Sequence, residues 1–300
     1  MTAVDRGRFT VELVDESDRE IYAVKARELG RKGIVVGDHV SLVGDLDGGA
    51  DALARIIRRR ARTTVLHRSA DDTDTDERII VANADQLAIV VALANPEPRT
   101  RLIDRALVAA FDGGLQPILV LTKSDLASDE ALRATYDSLG VPFVVTHKGG
   151  DLSELARLLR DHATVLVGHS GVGKSTLVNA LVPEARRSTG HVNVVTGRGR
   201  HTSTSAVALR LPVGGWVIDT PGIRSFGLAH VDLARFMRAF PDLEPGTEGC
   251  PRGCSHDDEH CALDAWVETG GADAERLVSL RRLLASRTIS DDELGGRSPA

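Results

Sequence analysis

The stretch Gly168-His169-Ser170-Gly171-Val172-Gly173-Lys174-Ser175-Thr176 carries its glycines, lysine and hydroxyls in the spacing Gly-x-x-x-x-Gly-Lys-Ser. That spacing serves phosphate binding. Glycine backbones can wrap an anion without Cβ clashes. A helix beginning at Lys174 would aim its positive end at the same charge. Lys174 would reach the β- and γ-phosphates, and the Ser175 hydroxyl a magnesium ion. The apolar run Ala163–Val167 precedes the loop, and Leu177, Ala180 and Leu181 follow it at helical spacing. The loop therefore joins a buried strand to a helix.

Two further groups extend the site. Asp219-Thr-Pro-Gly222 closes an apolar strand 44 residues after Ser175. A carboxylate there can hold magnesium through water, and the Gly222 amide can meet a γ-phosphate. Upstream, Leu119-Val-Leu-Thr122-Lys123-Ser124-Asp125 is a strand ending in a variant of Asn-Lys-x-Asp. The Asp125 carboxylate can accept both the N1 and N2 protons of guanine, which adenine does not offer, so the pattern selects GTP. Thr146-His147 stands where a second base-contacting loop would be. The base-reading loop precedes the phosphate loop, the reverse of ordinary small GTPases. A parallel sheet tolerates this, because its sites lie at strand ends whatever the sequence order. The chain reads as circularly permuted, and the Asp219 strand then leads straight into the C-terminal segment.

The elements around these groups divide 300 residues into three parts. Residues 1–70 alternate apolar and polar in short strands (Phe9–Val14, Ile21–Lys25, two around the Gly37-Asp38 turn within 33–43), as in a small β-barrel. Their basic residues gather at Lys25, Arg27, Arg31 and Lys32, and at Arg55, Arg58, Arg59, Arg60, Arg62 and Arg68. Such clusters in an otherwise acidic chain suit RNA phosphates. The acidic stretch 70–77 reads as a linker. From 79 to 228, strands and helices alternate with continuously apolar strands, which means a mostly parallel sheet covered on both faces. Ser128 is a candidate cap for a helix over 129–139, and Asp151 with Glu154 a capping box for one over 152–159. Residues 183–205 are polar and basic without period. Residues 229–300 turn helical.

Net charge is −6, which excludes a globally basic nucleic-acid binder. No apolar run approaches a membrane span and no signal peptide opens the chain, so a cytoplasmic protein is expected. All three cysteines lie in Cys250-Pro-Arg-Gly-Cys254-Ser-His256-Asp-Asp-Glu-His260-Cys261. Three thiolates and an imidazole suit a closed, structural zinc site.

With these residues in place, the chain resembles the RsgA (YjeQ) family of circularly permuted GTPases. The resemblance includes Val36-Gly-Asp38, Ala82-Asn-Ala-Asp-Gln86, Gly168–Thr176, Gly197-Arg-Gly-Arg-His201-Thr202-Ser203-Thr204, Asp219–Gly222 and the Cys/His cluster. It implies an N-terminal OB barrel (1–70), a central permuted GTPase domain (71–228) and a C-terminal helical zinc domain (229–300). It also implies ribosome-stimulated hydrolysis of GTP during late maturation of the small ribosomal subunit, with that subunit and its rRNA as partners. A monomer is expected. Thr122 replaces the family's usual Asn, which is expected to weaken guanine binding. Ser203 departs from a His-Thr-Thr-Thr pattern, leaving Thr202, Ser203 and Thr204 as candidates for the magnesium ligand. The family's ligand spacing is slightly longer, which keeps His260 as an alternative to His256. Ile223 stands where small GTPases place a water-orienting glutamine, so His201 is the candidate catalytic residue. Two other readings compete: a nucleotide-gated rRNA-binding placeholder whose hydrolysis is incidental, and a P-loop ATPase.

Overall fold

The computed structural model describes residues 1–5, 7–14, 19–29, 33–46, 53–68, 78–183, 206–220, 226, 228 and 231–286. The expected linker and nearly all of 183–205 lie outside them.

Five short strands open the chain: β1 (Ala3–Asp5), β2 (Arg8–Glu12), β3 (Glu20–Lys25), β4 (Val40–Val43) and β5 (Ala54–Arg59). Alternation sends Phe9, Val11, Ile21, Ala23, Ala54 and Ile56 into a small core of their own. They lie in the order β1-β2-β3-β5-β4, with β3 and β5 parallel and the other pairs antiparallel. Of the two strands expected within 33–43, only β4 forms; Val36 makes an isolated parallel bridge to Val81. The cause is a turn built on buried Asp38, whose carboxylate accepts the Val35 amide at 2.8 Å and the Arg62 guanidinium at 2.7 Å. Gly37 has φ +87°, and a Cβ there would lie 1.8 Å from the Ala82 carbonyl oxygen. Asn83 Nδ2 donates to the Gly37 carbonyl at 2.9 Å. Two separate sequence motifs, Val36–Asp38 and Ala82–Gln86, are thus halves of one junction.

An antiparallel pair, β6 (Val65–Arg68) and β7 (Arg78–Ala82), leads into the α/β part. There β8 (Gln86–Ala92), α1 (Thr100–Gly113), β9 (Gln116–Thr122), α2 (Glu130–Tyr136), β10 (Phe143–Val145), α3 (Ser153–Leu159), β11 (Ala163–Val167), α4 (Lys174–Leu181), β12 (Val207–Arg210) and β13 (Trp216–Asp219) follow in turn. Strands β10-β9-β8-β11-β13 are all parallel, as their continuous burial requires. Alternate residues feed two cores: Leu87, Ile89, Leu119 and Val165 face Leu107 of α1, while Ala88, Val90, Ile118 and Leu166 face Leu155 and Leu177. Antiparallel β12 joins this sheet to β1 through the pair Ala3↔Val207, so the two expected domains share an eleven-stranded sheet.

The C-terminal part holds α5 (Leu233–Met237), α6 (Ala262–Glu268) and α7 (Ala274–Ala285). Asp232 and Asp273 cap α5 and α7 through their first free amides. Phe236 and Phe240 pack edge-on against Phe111 of α1, at centroid distances of 6.0 and 5.6 Å. No helix among the described residues is long and apolar enough to cross a membrane.

Candidate nucleotide and metal sites

Strands β8, β9, β11 and β13 run parallel, so Ala92, Thr122, Val167 and Asp219 all end at one edge of the sheet. That edge collects the predicted nucleotide groups. Gly168 must be glycine: a Cβ there would meet the Val90 carbonyl oxygen at 2.5 Å. Gly173 takes φ +95° to start α4. Ser175 and Thr176 are exposed at the helix start, while Val172 is buried and anchors the loop. Gly171, Ser170 and His169 complete the turn, with His169 Nδ1 3.0 Å from the Ser170 carbonyl. Lys174 Nζ lies 2.5 Å from Asp219 Oδ1, across 45 residues of sequence. The lysine and the magnesium-type carboxylate thus converge. Thr220, unnoticed in the sequence, is buried and donates to the Leu166 carbonyl at 2.7 Å, which ties the end of the Asp219 strand to its neighbour.

The base-reading loop sits against the phosphate loop. The Thr122 hydroxyl is buried and donates to the Val172 carbonyl at 2.6 Å. It makes a tie within the site, where the sequence suggested only a lost amide. Lys123 adopts φ +59°, and its ammonium donates to the Asn95 carbonyl. The Ser124 amide donates to the Thr146 carbonyl at 3.2 Å, and Ser124 Oγ lies 3.5 Å from His147 Nδ1. The two expected base loops are therefore adjacent, with Asp125 exposed between them and solvent. His201, Thr202, Ser203, Thr204, Gly222 and Ile223 lie outside the described residues.

In the C-terminal part, the ligand atoms of Cys250, Cys254, His256 and Cys261 all lie within 4.8 Å of one another. Cys250 Sγ is 3.9 Å from Cys261 Sγ and 3.6 Å from His256 Nδ1. Tetrahedral zinc with sulfur ligands near 2.3 Å and nitrogen near 2.0 Å requires edges of about 3.8 and 3.5 Å. The spacing fits, and the four side chains can hold a metal ion. His260 is exposed and outside the cluster. Burial pushes the Cys254 thiol up to about 12, so a cation would be needed to keep it a thiolate. Burial pulls His256 below its ordinary value, which favours the neutral ligand form. Arg281 of α7 donates to the His256 carbonyl at 3.0 Å and grips Asp264 of α6 in two bonds of 2.8 and 2.7 Å. The cluster loop is thereby fixed to both helices.

The RsgA GTPase family model matches residues 59–229. The chain belongs to the RsgA GTPase family. It is 40% identical over 263 residues to the small ribosomal subunit biogenesis GTPase RsgA of Pseudomonas syringae pv. tomato, covering 84% of this chain and 75% of that one. Against the protein of the same name from Ectopseudomonas mendocina it is 43% identical over 222 residues, covering 71% and 64%. The crystal structure of YjeQ from Thermotoga maritima superposes with a TM-score of 0.66 at 25% identity, over 99% of this chain and 98% of that one. YloQ, described as a circularly permuted GTPase, gives 0.67 at 24%, over 99% and 96%. The RsgA assignment makes the chain a GTP hydrolase.

Proposed function

We propose that this chain binds the small ribosomal subunit late in its maturation and hydrolyses GTP to GDP and phosphate there faster than alone. The observation that carries the reading is the gathering of Thr122–Asp125, Gly168–Thr176 and Asp219 at one sheet edge in permuted order. The names of its relatives supply the partner. In this reading residues 1–70 are an OB-type domain meeting rRNA, 71–228 the GTPase domain, and 229–300 a helical domain stapled by one zinc ion on Cys250, Cys254, His256 and Cys261. The protein acts as a cytoplasmic monomer. Arg55, Arg58 and Arg60 are exposed and available to RNA, whereas Arg62 is committed to Asp38.

Exposed Ser175 and the Asp219 carboxylate suit magnesium, with one of Thr202, Ser203 and Thr204 as a further ligand. Bound there, the ion would neutralise charge building on the phosphates. Lys174 holds the β- and γ-phosphates, the glycine amides (Gly222 included) cradle them, and Asp125 reads guanine. Ile223 cannot orient water, and His201 does so when the ribosome is bound. GTP turnover should rise by at least about tenfold when purified small subunits are added, against large subunits as control. No stimulation would overturn the ribosome reading. His201→Ala should keep GTP affinity and lose about a hundredfold or more of the stimulated rate. Retained stimulation would remove His201 from catalysis.

A further inference from the structure

We infer that Arg105 is a positioning residue that couples the nucleotide site to the C-terminal helices, which rests on the GTPase reading above. Arg105 lies on α1 and is only 3% exposed. Its guanidinium donates to the Phe226 carbonyl at 2.9 Å and to the Ser286 carbonyl at 3.4 Å. Phe226 follows Asp219 by seven residues in the chain, and Ser286 closes α7. One buried side chain therefore links Phe226, seven residues beyond the strand that bears Asp219, to the end of α7.

Both ends of this span reach working parts of the molecule. The Phe226 side chain is buried and lines a cavity of about 20 Å³ with Gly168, His169 and Val172 of the phosphate loop and Leu102 of α1. That is space for about one water, so a phosphate-loop shift that closes it brings the loop against Phe226. At the other end, α7 docks onto α1 and α2 through polar groups. Arg282 donates to the Thr135 carbonyl at 2.9 Å, lies 3.3 Å from buried Asp104 and stacks on Tyr136 at 4.7 Å. One residue before it, Arg281 holds the metal-cluster carbonyl of His256. A buried guanidinium shared by two carbonyls cannot stretch continuously. It keeps both partners or exchanges one, and such two-state contacts carry coupling between sites.

Loading the site with GTP or GDP therefore resets the docking of α7, and through it the zinc cluster, by way of Phe226, Arg105 and Ser286. The test is hydrogen exchange of the full-length, zinc-loaded protein with GDP and with a non-hydrolysable GTP analogue. In the wild type, amides of 274–286 should exchange at rates differing by at least about fivefold between the two states. Arg105→Met should abolish that difference while guanine-nucleotide affinity stays within about twofold. Arg105→Lys keeps the charge but cannot span both carbonyls, so it should reduce the difference by about half or more, and it decides the matter where the Met variant does not fold. A wild type that binds both nucleotides with identical exchange in 274–286 overturns the inference, as does an undiminished difference in either variant. A wild type that binds no guanine nucleotide instead defeats the GTPase reading.

Discussion

Thr122 shows how much one hydroxyl can decide. It donates across 50 residues of sequence to the Val172 carbonyl, inside the candidate phosphate loop. Replacing it by the isosteric Val leaves that buried carbonyl unpaired, at a cost of about 1–2 kcal/mol, or roughly five- to thirtyfold in GTP affinity. Thr122→Ser keeps the bond and should stay within about twofold. The tie does not touch the base. Binding of GTP and of ITP, which lacks the N2 amino group, should therefore fall by the same factor in Thr122→Val, as titration calorimetry can read. A changed GTP-to-ITP ratio would instead make Thr122 a base contact. Phosphate and guanine chemistry fix residue types locally, so the sequence singles out Lys174, Asp219 and Asp125 as candidates. It could not reveal what the hydroxyls of Thr122 and Thr220 bond to. Their partners, Val172 and Leu166, are backbone carbonyls brought close only by the sheet.

Elements were legible to the extent that a single periodicity ruled them. The strands of the parallel sheet are continuously apolar and legible as such: β11 spans the expected run Ala163–Val167. Mixed segments were not. The helix expected over 129–139 divides into α2 and a 3-10 turn, Asp137–Leu139, before Gly140 at φ +65°. At α3 the expected capping box is replaced by a shorter device. Asp151 accepts the Ser153 amide at 2.9 Å and its hydroxyl at 2.5 Å, and the helix starts at Ser153. These bonds favour the charged carboxylate and hold Asp151 below the ordinary 3.8. The stability they lend to the start of α3, just after the second base loop, is present above pH 3.8 and is lost as pH falls through the lowered value. A carboxyl-detected NMR titration should find Asp151 below 3.8, and Ser153→Ala should move it back up. An unmoved midpoint would mean that the Ser153 bonds do not set it.

On the scale of the whole molecule, the apolar cores do not follow the three expected domains. Phe9, Ile21 and Ile56 form a small core confined to the N-terminal strands. Leu107 of α1, Leu119 and Val165 of the sheet, Phe236, Leu263, Leu280 and the cysteines Cys254 and Cys261 all belong to another. The GTPase sheet and the metal-cluster helices therefore share one core, although they divide cleanly in sequence. Composition could mark where the pattern turned helical, but not that α7 would close over α1. Withdrawing the metal should accordingly weaken more than the C-terminal part. A site saturated about a thousandfold over its Kd stabilises by about 4 kcal/mol. For a unit of some 200 residues that corresponds to a fall in melting temperature of roughly 8–16 °C on chelation. Calorimetry should show this fall in the main transition, which includes the nucleotide site and rises with added GDP. Any separate transition of the N-terminal core should stay in place. If chelation instead detaches a small transition of its own and leaves the GDP-sensitive one unmoved, the C-terminal helices fold independently and the shared core is not cooperative.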